Sequence, residues 1–242
     1  MKKGLARILF YLTLIATAVF VLSGYGYQWG IWELGTGFTL LRYGVYASIG
    51  LLAIQTVFLF LIKETGIKIK SMILVGFLLS LSVTSTGLYW QYKAQSVPPI
   101  HDITTDLESP PEFVAMVRLR QDAPNPPEYA GEESAAAQRE AYPQIQPLML
   151  NTPKEEVIDE IVNLIAGRGW EMVAINRQEG RVEATEKLAW FGFKDDVVLR
   201  ITESNGGSRV DMRSKSRIGR SDIGVNADRI DSFLNDLRNR LE

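Results

Sequence analysis

Cysteine is absent from this 242-residue chain, and histidine occurs once, as His101. No disulfide is possible, so an exported portion must rely on its packed core. Transition-metal sites usually recruit several His or Cys side chains, which a lone histidine cannot supply. The same scarcity leaves Ser214, Ser216 and Ser221 without the usual base, and no G-x-S-x-G elbow occurs. A phosphate-cradling loop is also missing. No catalytic residue and no cofactor is therefore assigned. Neither charge sign dominates: 26 Lys and Arg stand against 28 Asp and Glu, a formal net charge of −2. That balance predicts no nucleic-acid partner. Long apolar runs are missing too, but only after residue 92.

Before residue 92 there are three such runs, at residues 8–22, 40–62 and 72–92. Crossing the hydrocarbon core of a bilayer takes roughly 20 mostly apolar residues, with about 17 as a floor. The second and third runs reach that length. The first does so when Leu5 and the apolar residues up to Tyr27 are counted. Residues 1–92 are thus read as three transmembrane helices. The first run could be a signal peptide, but residues 21–27 lack a small-x-small cleavage pattern and two further runs follow.

Lys and Arg beside the spans set their orientation. Lys2, Lys3 and Arg7 precede the first run, and Lys63, Lys68 and Lys70 lie between the second and third. The other side has only Arg42, just inside the second run, where it can snorkel outward. This places the N-terminus in the cytoplasm and residues from about Lys93 onward outside, which in a Gram-negative cell is the periplasm. Tyr25, Tyr27, Trp29 and Trp32, and again Tyr89, Trp90 and Tyr92, fall at the outer span ends, where aromatic belts form. Within the spans, Gln55 and the hydroxyls of Ser80, Ser82, Thr84, Ser85 and Thr86 suggest close helix packing with cross-helix hydrogen bonds. A transport path would want a buried acid, a buried base or a broken helix.

Residues 93–151 form a proline-rich extended segment, with nine of the ten prolines between 93 and 150. Proline offers no donor to a ladder. Ile100, Ile103, Phe113, Val114, Val117 and Leu119 argue that the segment wraps the domain rather than dangling. One short Ala-rich helix is expected at 132–142. The compact unit, 152–242, opens with a capping box at Thr152, Pro153 and Glu155. A helix carrying Val157, Ile158, Ile161, Leu164 and Ile165 follows, stopped by Gly167 and Gly169. Strands are expected at 170–176, 181–193, 197–203 and 209–218, with turns at Glu179-Gly180 and Asn205-Gly206-Gly207. A final helix from about Ala227 buries Ile230, Phe233, Leu234, Leu237 and Leu241. The expected fold is an α+β soluble domain, helix, four-stranded antiparallel sheet, helix, behind a membrane α-helical part of three spans.

The last strand alternates. Val210, Met212, Ser214, Ser216 and Ile218 share one face; Arg209, Asp211, Arg213, Lys215 and Arg217 share the other. The charged face can be solvated, with cross-strand ion pairs to residues such as Glu183 and Glu186. It can also be a basic platform for an anionic partner: lipid head groups, a polyanionic glycan or an acidic protein surface.

Three segments stand out: His101-Asp-Ile-Thr-Thr-Asp106, Trp190-Phe-Gly-Phe-Lys-Asp-Asp196, and Arg213-Ser-Lys-Ser-Arg-Ile-Gly-Arg-Ser-Asp-Ile-Gly-Val-Asn226. Together they resemble the bacterial domain-of-unknown-function family 1499, over roughly residues 100–240. The three-span start is similar to membrane-anchored members of that family. The resemblance implies no settled activity.

Neighbouring strand residues point to opposite faces, which separates Asp195 from Asp196 and disfavours a catalytic carboxylate pair. Either could meet Arg217 or Arg220 as a structural ion pair. Arg217, Arg220, Ser221, Asp222 and Asn226 surround a Gly-interrupted turn into a helix start. Asn226 suits an N-cap and Asp222 an Asx-turn; the two arginines and the helix N-terminus could otherwise bind an anion. His101, Asp102 and Asp106 could hold a divalent cation. The functional expectation is non-enzymatic: a membrane-anchored periplasmic binding or scaffold module of the cell envelope, in the bacterial inner membrane, meeting membrane lipids and an envelope protein, anionic lipid or glycan. The alternative is a hydrolase or transferase acting on an envelope lipid or glycan, using Asp195, Asp196, His101 or Asp222 converging on one pocket.

Overall fold

The computed structural model describes residues 2–61 and 66–242. Ile62 and Lys63, the end of the second apolar run and part of the basic loop, lie outside the described residues. The chain divides into two compact units: residues up to Tyr92 with Trp190–Gly192, and Lys93–Ala189 with Phe193–Glu242.

The first unit is built on α1 (Lys2–Gln28), α2 (Leu34–Leu61) and α3 (Ile67–Ser96). Each is long and apolar enough to cross a membrane. Their outward faces carry large apolar side chains such as Tyr11, Ile15, Phe60 and Leu78. A helix apolar all round is stable only in apolar surroundings. Two glycines set the helix contacts, because a Cβ on either would collide with a neighbour. At Gly76 it would lie 2.7 Å from Gln55 Nε2, and at Gly87 2.7 Å from Val45 Cγ2. Gln55 donates to Thr13 Oγ1 at 2.7 Å and so ties α2 to α1. The expected cross-helix bonds from the α3 hydroxyls do not form at Ser80 or Thr84, which face inward; Ser82 and Ser85 face outward. Also within this unit, the Trp190 indole donates to the Val21 carbonyl (2.8 Å), and the Phe191 and Phe38 rings stack at 5.2 Å.

The second unit is an antiparallel sheet of six strands, not four: β1 (Asp102–Thr104), β2 (Leu148–Leu150), β3 (Glu171–Asn176), β4 (Arg181–Lys187), β5 (Lys194–Ser204) and β6 (Gly207–Ser216). The order is β1-β6-β5-β4-β3, and β2 also pairs with β6. The two extra strands come from the proline-rich segment. They share one edge of β6, β1 along Arg213–Lys215 and β2 along Ser208–Val210. Such three-residue strands, bounded by prolines and loops, carry no periodicity that a sequence pattern can register. Gly207 admits β2, since a Cβ there would lie 2.0 Å from the Leu150 carbonyl oxygen. The β5–β6 turn is the two residues Asn205-Gly206, both at positive φ, as a tight primed hairpin requires. The run expected at 181–193 ends at Lys187, where the Leu188 N–H closes on the Phe193 carbonyl at 2.8 Å.

Helices α5 (Lys154–Gly167) and α6 (Val225–Leu241) cover one sheet face. Val157, Ile158, Ile161, Leu164 and Ile165 meet Val182, Ala184, Val197, Leu199, Ile201, Val210 and Met212 in one buried core, with Trp170 stacked on Phe233 at 5.4 Å. Burying each large apolar side chain contributes roughly 1.5–3 kcal/mol. The capping box does not form: Pro153 is the N-cap of α5 without a side-chain bond, and the Thr152 carbonyl accepts from Ser208 Oγ at 2.8 Å. Residues 105–130 cover the opposite face with a 3-10 helix, Ala115–Arg120, and α4 (Glu132–Ala141) follows. Phe113 and Met116 of this cover pack on Val198.

Candidate functional site

The middle of the charged face of β6 is neither solvated nor an open platform, while Arg209 and Arg217 at its ends are half-buried. Arg213 and Lys215 are each 2% exposed. Proline removes the donor that a strand would use but leaves every carbonyl. The basic side chains of the sheet supply the missing donors. Arg213 donates to the carbonyls of Pro111 (3.2 Å) and Pro127 (3.1 Å), Lys215 to Glu128 (2.5 Å) and Arg217 to Leu119 (3.1 Å). The anionic partners are Asp102, Asp106, Asp196 and Asp211, not the expected Glu183 and Glu186.

Asp102 takes a bidentate pair from Arg213, 2.8 Å at each oxygen, and the Lys215 ammonium at 3.1 Å. Burial pushes the Lys215 pKa down, against the attraction of Asp102. Asp196 takes Arg217 at 2.8 Å on both oxygens, Arg120 at 2.7 Å and the Thr185 hydroxyl at 2.7 Å. Glu183, fully buried, accepts the N–H groups of Val114, Ala115 and Met116 at the start of the 3-10 helix.

Asp106 joins Arg200 (2.8 Å) and Arg209 (3.0 Å). Burial alone would raise its pKa, but the N–H groups of Ser109 and Glu108 and the two guanidiniums hold it below the usual 3.8. The unfolded chain therefore takes up this proton at a higher pH than the fold does. Stability from the site is complete above pH 3.8 and is lost as pH falls through the lower folded value. Asp106→Asn is expected to flatten the acid limb of a urea stability–pH curve. An unchanged slope would remove Asp106 as a source of acid sensitivity.

Asp195 lies on the helix face, where a second network closes around Arg229. The Arg229 guanidinium donates to Asp195 (2.6 Å), Glu186 (2.5 Å), Ser214 Oγ (2.9 Å) and Asn226 Oδ1. Asn226 is fully buried and also bonds Ser216 Oγ and the His101 carbonyl, each at 3.0 Å. It lies inside α6, whose N-cap is Gly224, so it is not the cap itself, and Asp222 forms an Asx-turn just before that cap. The Asp222 carboxylate accepts from Gly224 N–H (2.9 Å) and Asn226 N–H (2.7 Å). Burial raises the Asp222 pKa, and those two N–H groups oppose the shift.

The ten candidate residues thus fall into separate groups. Asp102, Asp106, Asp196 and Arg217 hold the proline-rich cover, while Asp195 and Asn226 hold α6. The helix N-terminus that could have received an anion already carries Asp222. Ser221 accepts from Ile223 N–H at 3.1 Å, and the His101 ring lies 3.3 Å from the Arg220 carbonyl. Asp102 and Asp106 are taken by arginines, and no group of three metal-ligating side chains stands among the described residues. Arg220 is exposed. Arg220→Ala is expected to change stability by less than about 0.5 kcal/mol, read by thermal unfolding. A loss comparable to that of a buried ion pair would make Arg220 structural.

Sequence reading missed Arg229 and Arg120, and it paired Glu186 with the β6 face rather than with Arg229. A signal for Arg229 exists: Asn226, Arg229 and Phe233 recur at helical spacing, which puts two polar residues on the buried stripe of α6. Arg120 carries none. A cleft of about 250 Å³ opens beside the cover, lined by Pro110, Pro111, Glu112, Arg181 and Arg200 over Val198. None of the ten candidates lines it.

A family model described as "Protein of unknown function (DUF1499)" matches residues 102–237, more than half of the chain. The match takes in the proline-rich cover as well as the sheet and both packed helices. No curated protein matches the chain.

Proposed function

The chain belongs to the DUF1499 family, whose description assigns no function, and from that premise we propose a membrane-anchored binding or scaffold module of the bacterial cell envelope. The three apolar helices hold it in the inner membrane, and residues 93–242 face the periplasm. The observation that carries the non-catalytic part of this reading is the separation of Asp195 and Asp196. One serves the helix face and the other the cover, and each is neutralised by buried arginine. Both oxygens of Asp196 are held by Arg120, Arg217 and Thr185, Arg229 holds Asp195, and neither carboxylate lines the cleft beside the cover, nor does His101 or Asp222. The basic face, drawn to acceptor groups, is occupied by the chain's own carbonyls. An outside partner therefore meets the outer side of the cover, the cleft, or Arg220.

The charge asymmetry around the spans supports the orientation. Alkaline phosphatase fused after Gln95 is expected to be active, and a fusion within 63–70 inactive. The reverse pattern would remove the periplasmic assignment and the envelope reading with it. Cross-linking of intact cells from the outer face, followed by identification of captured proteins and lipids, tests the binding role. Capture of none above an anchor-only control would sink it.

A further inference from the structure

Five buried polar atoms of the helical unit have no hydrogen-bond partner: Thr17 Oγ1, Ser48 Oγ, Gln55 Oε1, Ser80 Oγ and Thr84 Oγ1. Ser48, Gln55 and Ser80 are fully buried and Thr84 is 7% exposed. A hydroxyl in an apolar bundle has three outlets: the carbonyl one turn back on its own helix, a group on a neighbouring helix, or a third molecule. The first outlet is used elsewhere in these helices. Thr13 bonds Leu9 O at 2.9 Å, Thr39 bonds Gly35 O at 2.8 Å and Thr56 bonds Leu52 O at 2.7 Å. Thr17, Ser48, Ser80 and Thr84 do not use it. The second outlet is taken by the Gln55 amide, whose Nε2 meets Thr13 and whose Oε1 is left over.

The five atoms lie along one stretch of the bundle. Gln55 and Thr13 mark one level, where a Cβ on Gly76 would meet both, and Val45 with Gly87 marks another. Ser48 lies between Val45 and Gln55 on α2, and Ser80 and Thr84 lie between Gly76 and Gly87 on α3. Thr17 lies one turn along α1 from Thr13. α1 and α2 run close together, whereas α3 stands further from both, its Cα atoms rarely coming within 8 Å of theirs. The inward residues of α3 here are Gly76, Ser80, Val83 and Thr84, of which Val83 packs with Phe20 and Val45.

We propose that the seam between α3 and the α1–α2 pair binds ordered water, with these five atoms as its partners. The donor set selects the ligand. Hydroxyls both give and accept, and Gln55 Oε1 needs a donor. No carboxylate is present among the five to offset dehydration of a cation. A neutral molecule that donates and accepts twice fits such a set, and a polar buried site of this kind normally holds water. In a bilayer the lipid tails offer these atoms no hydrogen bond. The inference concerns the helices alone, so it stands or falls separately from the binding role of residues 93–242.

The test uses the full chain in lipid bilayers and transfer of magnetisation from water to side chains by solid-state NMR. Ser48, Ser80 and Thr84 are expected to receive water magnetisation as fast as residues at the helix ends, while Ile73, buried among apolar side chains, lags. Ser80→Ala combined with Thr84→Val is expected to abolish the transfer at Ser48 with backbone shifts of the other helices unchanged. Transfer to Ser48, Ser80 and Thr84 as slow as that to Ile73 would overturn the proposal, leaving hydroxyls turned onto their own helices. The comparison within the unaltered protein decides the matter even if the double variant does not fold.

Discussion

Asp196→Ala is expected to cost about 3–5 kcal/mol, the range for removing one partner of a buried ion pair. Asp196 has no exposed side-chain surface, and neither has Arg120. Without the carboxylate, Arg120 keeps only backbone carbonyls of Lys215, Ser216 and Asn125, and its Nε already lacks a partner. Burial lowers the Arg120 pKa, and Asp196 is the main group raising it again, so the charge becomes uncompensated when Asp196 is lost. Arg217→Ala should cost less, because Arg120 and Thr185 still serve the carboxylate. The damage is local first. Arg120 and Arg217 reach the cover through Asn125 and Leu119, so the cover should loosen before the core unfolds. Trypsin should then cut after Arg120, a site closed in the unaltered protein, and urea unfolding should shift to lower midpoint. An Asp196→Ala protein as stable and as protected as the unaltered one would show that the Arg120–Asp196–Arg217 cluster does not hold the cover.

Arg229→Ala is expected to be of similar size on the other face, again about 3–5 kcal/mol. Asp195, with 3% of its side chain exposed, would lose its guanidinium, whereas Glu186 at 31% can turn to water. Ser214 and Asn226 would each lose a donor, so the penalty is spread over one network. Arg229→Met should keep most of the volume and still destabilise, which separates charge from packing. Adding Asp195→Asn to Arg229→Met should recover part of the loss, because contacting sites are commonly coupled by about 0.5–3 kcal/mol. Hydrogen exchange along α6 would read the effect, with amides near Asn226 opening first. Strict additivity of the two substitutions would mean that the Arg229–Asp195 pair contributes nothing of its own.

The helices and most strands are legible because each leaves a period. α5 and α6 carry apolar stripes, and β6 alternates so strictly that its two faces can be listed residue by residue. The cover is legible only as composition: prolines with apolar residues between them. Period two says which side chains share a face and nothing about what lies on that face. Arg213 and Lys215 therefore read equally well as solvated or as a platform, until residues 105–130 are seen lying over them with carbonyls turned toward their donors.

The sequence by itself determined three things: the apolar helices at the N-terminus, the helix–sheet–helix order of the C-terminal part, and the divergence of Asp195 from Asp196. All three follow from local chemistry, namely span length, side-chain periodicity and the alternation of a strand. Only the tertiary structure decided which charges meet. Asp102 and Arg213 are 111 residues apart, and Arg120 and Asp196 are 76 apart. No local rule relates them, because an ion pair depends on distance in space and on the absence of water around it, and both are set when the cover closes over the sheet.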